Sequence, residues 1–232
     1  MASLLAPPRR RGTEILDDPS VSPELMTRSM SDVARSNALL GGTRAAMAEL
    51  NPVFPAMGVE GSLLDVGTGW GDIAATARSV AGRLGVRLWT VGLDTSERLV
   101  TERRASNSVV TRGDALRLPF RDRSVDVVLC SQILHHFEAA DAQALVREMN
   151  RVARRRAIIA DLRRSRIAMS GLWLASFALG FHPVSRHDGM VSVMRGFLPD
   201  ELADIVQGAT GQRPTVKRRL GFRLTASWTP QT

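Results

Sequence analysis

Between Ser22 and Leu50 the pattern is helical, with apolar Leu25, Met30, Val33 and Leu40 and polar Asn37 at helical spacings. The run stops at Gly41-Gly42, a pair that readily ends a helix. A second, shorter helix is expected over residues 43–50, closed by Asn51-Pro52. Beyond residue 61 the rhythm changes. Short apolar runs rich in branched residues, at 62–66, 88–93, 109–112, 125–130 and 157–160, read as strands buried on both faces. Helical stretches at 71–83, 96–105 and 139–152 separate them, with a short connection around 116–120. Repeated strand–helix units of this length predict a parallel, doubly wound α/β sheet. The tail differs: a helix over 199–210 precedes two strand-like runs, 215–220 and 222–228, joined at Gly221. That hairpin brings the sheet to seven strands and makes the last one antiparallel.

The predicted organisation is a flexible leader over 1–20, rich in Pro, Arg and Asp, then one domain over 21–232. Within it fall an N-terminal helical lid (21–60), a ligand-binding core (61–162), a helical insertion after the fifth strand (163–198) and a terminal helix and hairpin (199–232). The chain has 232 residues, enough for one sizeable core. Its single cysteine, Cys130, leaves no intramolecular disulfide framework and fits a reducing compartment. The start, MASLLAPPRRR, places its charges after the apolar stretch, the wrong order for a secretory signal. The expected location is cytoplasmic, without stable membrane insertion. The net charge is +8, carried by thirty arginines and one lysine. Clusters at 9–11, 154–156, 163–166 and 217–219 are scattered, and the chain has no tyrosine to interleave with them. They read as solvated faces rather than a nucleic-acid surface.

Candidate chemistry sits at the strand ends. The run Leu63-Leu64-Asp65-Val66-Gly67-Thr68-Gly69-Trp70-Gly71-Asp72 is an apolar strand, an acid, then alternating glycines leading into a helix. Glycine lets the backbone turn tightly and a ligand approach it, and the helix start presents unpaired N–H groups. The dinucleotide pattern GxGxxG wants its third glycine where Asp72 stands, which counts against a NAD-dependent reductase. Asp65 would repel a pyrophosphate and attract an ammonium group. Asp94 ends the second strand, placed either to accept from both ribose hydroxyls or to cap the following helix with Thr95 and Ser96. Gly113-Asp114-Ala115 ends the third, where Asp114 suits an exocyclic amine or a structural turn.

These residues resemble the class I S-adenosylmethionine (SAM)-dependent methyltransferases, in particular the ubiquinone/menaquinone-biosynthesis-like group called methyltransferase type 11. The resemblance covers Leu63 to Asp161: LLDVGTGWGD, VGLDTS, the GDALRLPFRDRSVDVVLCSQILHHF block and the helix REMNRVA. It implies a Rossmann-like methyltransferase fold and the cofactor SAM. Implied around the cofactor are Asp65, Gly67, Thr68, Gly69, Gly71, Asp94, Thr95, Gly113, Asp114, Ala115, Ser131 and Gln132. The flanks NALLGG, DLRRSR and RHDGMVSVMRGF resemble a bacterial subset that accompanies polyketide-type biosynthesis, a lean toward secondary metabolism.

The acceptor is expected to be small and largely apolar, methylated on oxygen or carbon, as in a phenolic or polyketide-like metabolite. Methyl transfer to such an atom needs an in-line nucleophile and an acceptor for its proton. His135 and His136 follow the fourth strand directly, and the candidate bases are His136 and His187. Asp161, at the end of the fifth strand, would orient a histidine or bind substrate; core packing or capping is the plain alternative for each histidine. The stretch 167–181, apolar nearly all round, reads as an acceptor-pocket lid, with a dimer contact or a membrane contact as alternatives. Arg35 and Asn37 lie on the N-terminal helix expected to close the other side. No metal is expected, because Ser131 and Gln132 stand where metal-dependent catechol methylases carry carboxylates. The rival readings are an RNA-modifying methyltransferase and a SAM-binding protein without catalysis.

Overall fold

A computed structural model describes residues 7–10, 12–18, 20–105 and 109–231, with the side chains of 102–105 outside the description. The chain runs α1 (Pro23–Leu39), α2 (Gly42–Leu50), β1 (Glu60–Val66), α3 (Asp72–Arg83), β2 (Arg87–Asp94) and α4 (Glu97–Ala105). It continues through β3 (Val110–Arg112), β4 (Val125–Ser131), α5 (Ala139–Val152), β5 (Ala153–Leu162), α6 (Arg166–Ala178) and α7 (Pro183–Arg195). It ends with α8 (Pro199–Thr210), β6 (Thr215–Arg219) and β7 (Arg223–Trp228). The seven strands lie in the order β3-β2-β1-β4-β5-β7-β6. β1 to β5 pair in parallel, and β7 runs antiparallel between β5 and β6, as the terminal hairpin predicts.

Both faces of the sheet are covered, which is why its strands read as unbroken apolar runs. Successive strand residues point to opposite faces. Leu64, Val128 and Ile159 pack with Leu145 and Met149 of α5 and Leu202 and Val206 of α8. Leu63, Val127 and Ile158 pack on the other side with Leu50 of α2 and Ile73 and Ala77 of α3. The strand order reverses between β1 and β4, whose carboxyl ends lie side by side at Val66 and Cys130. A crevice at such a reversal is where open α/β sheets bind ligands.

The helical insertion consists of two helices, α6 and α7. α7 escapes the apolar pattern because polar and apolar residues mix along it; it starts where His182 accepts the Val184 N–H and Pro183 fills the first helical position. The leader, over its described part, is not loose. Arg10 N–H donates to Met194 O (3.3 Å), and the Ile15 and Leu16 N–H groups each donate to Asp188 at 2.9 Å. The buried Arg164 guanidinium donates to Pro7 O (2.7 Å). Backbone polarity buried against α7 has to be paired, and these bonds pair it.

Candidate active site

After Asp65 and Val66 the chain turns through residues 67–71 into α3. Gly67, Gly69 and Gly71 all hold positive φ, at 68°, 50° and 70°. Space excludes side chains there too: a Cβ on Gly67 would lie 2.2 Å from Ile133, and one on Gly69 3.0 Å from Met30 of α1. The Gly67 and Thr68 N–H groups donate to Leu93 O (2.8 and 3.1 Å), which ties the turn to the end of β2. Asp94 uses one oxygen for the Gly69 N–H and the other for the Ser96 N–H, both at 3.0 Å. It therefore stands beside the glycine turn and also braces the entry to α4. Thr95 lies next to it, exposed. The Gly113 N–H donates to Asp94 O (3.1 Å), joining the third strand end to the second. Asp114 is exposed and accepts the Leu116 N–H (2.8 Å), a turn geometry, while Ala115 is buried in the core.

Asp65 is 2% exposed and accepts from Thr68 Oγ1 at 2.9 Å. Burial, with Asp72 and Asp94 nearby, pushes its pKa up to about 7. Among the described residues no cation pairs with it. Ser131 Oγ and Trp70 Nε1 are also buried without a hydrogen-bond partner there. A carboxylate short of a cation, beside a glycine turn with no room for side chains, fits a ligand bearing an ammonium group. SAM has one at its amino end, and the residues present fit it.

Gln132, at the end of β4, holds φ at 55° and donates its N–H to Ala160 O (2.8 Å). Its side-chain amide bonds Asn37 of α1 on one side and receives Arg223 Nη1 of β7 (2.7 Å) on the other. α1 is thus latched over the strand ends, where its Thr27 also receives Arg98 of α4 (3.0 Å).

The short turn Leu134–His136 gives its two histidines different partners. His135 is 4% exposed; its Nδ1 lies 2.7 Å from Asp161 Oδ1, and its N–H donates to Asp161 Oδ2 (3.2 Å). Burial by itself would raise the Asp161 pKa, but His135 and the Leu162 N–H hold it below the usual value. Facing a carboxylate, Nδ1 of His135 is the donor, and Nε2 is buried without a partner among the described residues. Asp161, expected to orient a histidine or bind substrate, bonds His135, while the candidate bases His136 and His187 bond Arg195 and Asp188. The two rings lie side by side, but only His135 bonds Asp161 of β5.

His136 instead meets the leader and α7, with its Nδ1 3.2 Å from Arg195 Nη1 and its Nε2 4.0 Å from Glu14 Oε2. Burial, with His135 and Arg195 adjacent, pushes its pKa down to about 3. His187 bonds Asp188 (2.8 Å) and faces a groove between α6 and α7. That groove, about 630 Å³, is lined by Met169, Trp173, Phe177, Met190 and Met194, with Arg10 and Arg186 beside them. Glu14 went unread in the sequence: nothing in a Pro- and Arg-rich leader marks a buried carboxylate. It accepts from Ser192 Oγ (2.7 Å) and Arg195 Nη1 (3.0 Å), and burial raises its pKa.

The family described as "Methyltransferase domain" matches residues 64–160. A demethylmenaquinone methyltransferase of Thermotoga maritima is 34% identical over 96 residues, covering 40% of this chain and 39% of that protein. The chain thus spans well under half the length of that relative. One of the same name from Roseiflexus sp. (strain RS-1) is 31% identical over 218 residues, 85% of this chain and 89% of that protein. Among solved structures, a SAM-dependent methyltransferase from Aquifex aeolicus shares the fold with a TM-score of 0.59 at 16% identity, over 91% of this chain and 100% of that one. A magnesium protoporphyrin IX methyltransferase from Synechocystis PCC 6803 with bound SAH does so with a TM-score of 0.55 at 14% identity, over 93% and 91%. With the Roseiflexus match running along most of both chains, this chain belongs to the class I SAM-dependent methyltransferases, in their ubiquinone/menaquinone group.

Proposed function

We propose that this enzyme methylates an oxygen or carbon of a small, largely apolar acceptor carrying a phenolic, polyketide-like or quinol-type ring. The observation that carries the reading is the buried His135–Asp161 pair at the carboxyl ends of β4 and β5, with a partnerless Nε2. A phenol or activated carbon must give up a proton as it is methylated. An imidazole whose Nδ1–H is held by a buried carboxylate is oriented to accept it at Nε2. Bound SAM supplies an electrophilic methyl group on a sulfonium. For its amino end we assign Asp65 and the backbone of Gly67, Thr68, Gly69 and Gly71; for the ribose, Asp94 and Thr95. Gly113, Asp114 and Ala115 take the adenine edge, and Ser131 and Gln132 face the sulfonium side. α1, with the α6–α7 insertion and its groove, forms the acceptor side; His136 and His187 then shape or contact the acceptor. The name shared by the two curated relatives favours a quinone-related ring.

The test is methyl transfer from SAM to a panel of naphthoquinols, alkylated phenols, catechol and RNA, read by SAH release and by product mass. Transfer to the quinols or phenols is expected. His135→Ala and Asp161→Asn should each lower kcat by about 10²–10⁴-fold while SAM affinity holds. Trp173→Ala should raise KM for the acceptor. Transfer to RNA alone would move the enzyme to the nucleic-acid modifiers. SAM binding with no transfer across the panel would favour a non-catalytic binder.

A further inference from the structure

Glu14, His135 and His136 come from two separate parts of the chain, and each offers a ligand atom within 4.8 Å of the others. Their surroundings resemble a metal site more than a packed core. His135 is fixed through Nδ1 by the buried Asp161, the carboxylate–histidine arrangement that sets the tautomer and orientation of metal-bound imidazoles. Its Nε2 is buried and bonds nothing among the described residues. The His135 and His136 rings lie 4.3 Å apart, and His136 Nε2 lies 4.0 Å from Glu14 Oε2; an ion on that nitrogen would leave the proton on Nδ1 and displace Arg195 Nη1, which lies 3.2 Å from it. Arg195 engages Glu14 through Oε1, which leaves Oε2 toward the histidines.

Two imidazoles and one carboxylate suit a borderline divalent ion, such as zinc or cobalt, better than magnesium or calcium. Zinc bonds of about 2.0–2.2 Å would require the three residues to close in by about 1 Å, leaving a fourth position for water or an acceptor oxygen.

We propose that Glu14, His135 and His136 bind one divalent transition-metal ion, with Asp161 orienting His135 and the leader supplying the carboxylate. The expectation of no metal rested on Ser131 and Gln132, which take no part here. Nε2 has a single lone pair, so it cannot hold an ion and take a proton at once. An occupied site therefore blocks the base role proposed above. Metal binding and base catalysis are separate claims, and each fails on its own measurement.

The experiment uses tag-free full-length protein, stripped with chelator and titrated with Co²⁺, then with Zn²⁺ against a chromophoric chelator. Expected are one equivalent of Co²⁺ with a strong visible ligand-field spectrum, displaced by Zn²⁺. Affinity should fall at least about tenfold in Glu14→Gln, His135→Ala, His136→Ala and Asp161→Asn, and hold in His187→Ala. SAM binding by each variant confirms that it folds. No cobalt spectrum in the wild-type protein, or an affinity unchanged in the three ligand variants, overturns the site. With Zn²⁺ bound, methyl transfer should be inhibited and should recover on chelation. Acceleration by Zn²⁺ would instead overturn the base role of His135 while supporting the site.

Discussion

Asp65 shows how one residue joins stability to cofactor binding. Its folded pKa of about 7 stands well above the value of about 3.9 for an unfolded aspartate. Between those values the folded chain binds more protons than the unfolded one, so stability falls as pH rises through that window and levels off above it. An ammonium ligand prefers the ionised form. SAM affinity should therefore rise between about pH 5.5 and 7.5 as Asp65 loses its proton. Calorimetric titration across that range checks this, and Asp65→Asn should bind weakly with little pH dependence; a flat wild-type profile would contradict the assignment. The glycine turn and the acids at the strand ends were legible because their spacing is local. The His135–Asp161 pair was half legible: both residues stood out, but which of two adjacent histidines faces β5 depends on a turn that has no sequence pattern.

At the level of elements, the junction of α1 with the terminal hairpin is tightly specified. Gly41 and Gly221, at φ 88° and 72°, pack back to back. A Cβ on Gly221 would lie 2.0 Å from Leu40 O. Gly221→Ala adds left-handed strain to that clash and should cost at least about 2 kcal/mol in urea unfolding. Gly82→Ala, in the exposed last turn of α3 with open space around it, should gain about 0.5–1 kcal/mol. Equal effects of the two would show that the junction is not rigid. The strands and α5 were readable because both sheet faces are covered and their apolar runs are continuous. α7 was not readable: one side faces the leader and the other an open groove, so its residues carry no single apolar stripe.

On the scale of the molecule, many of the arginines that give the net charge are tied into ion pairs. Arg154 and Arg155 both hold Asp126, Arg151 holds Glu148 and Asp122, and Arg219 reaches Glu49 behind the hairpin. No helix among the described residues is long and apolar enough to cross a membrane. Over its described residues the leader packs on α7: Asp188 accepts two of its backbone N–H groups, and Glu14 lies among Ser192, Arg195 and His136. Deleting residues 1–18 should lower Tm by about 4–8 °C for a loss of about 2 kcal/mol. SAM affinity should stay within about twofold, since the leader's bonds run to α7 and the histidine turn rather than the glycine turn. Scanning calorimetry and SAM titration on the truncated chain decide this, and a collapse of SAM affinity would count against it.

What the sequence determined by itself was everything carried by short-range pattern: strands buried on both faces, the glycine turn after β1, acids at successive strand ends, and with them the family and its cofactor. These need only neighbours along the chain, because turn geometry and strand periodicity are local. The tertiary structure decided what depends on residues far apart in sequence. It chose His135 over His136 as the partner of Asp161, and it brought Glu14 across more than a hundred residues to meet them. It also divided the insertion into two helices around a groove. No local propensity encodes those meetings; they follow from how the leader, α7 and the sheet pair their buried polar groups when they pack.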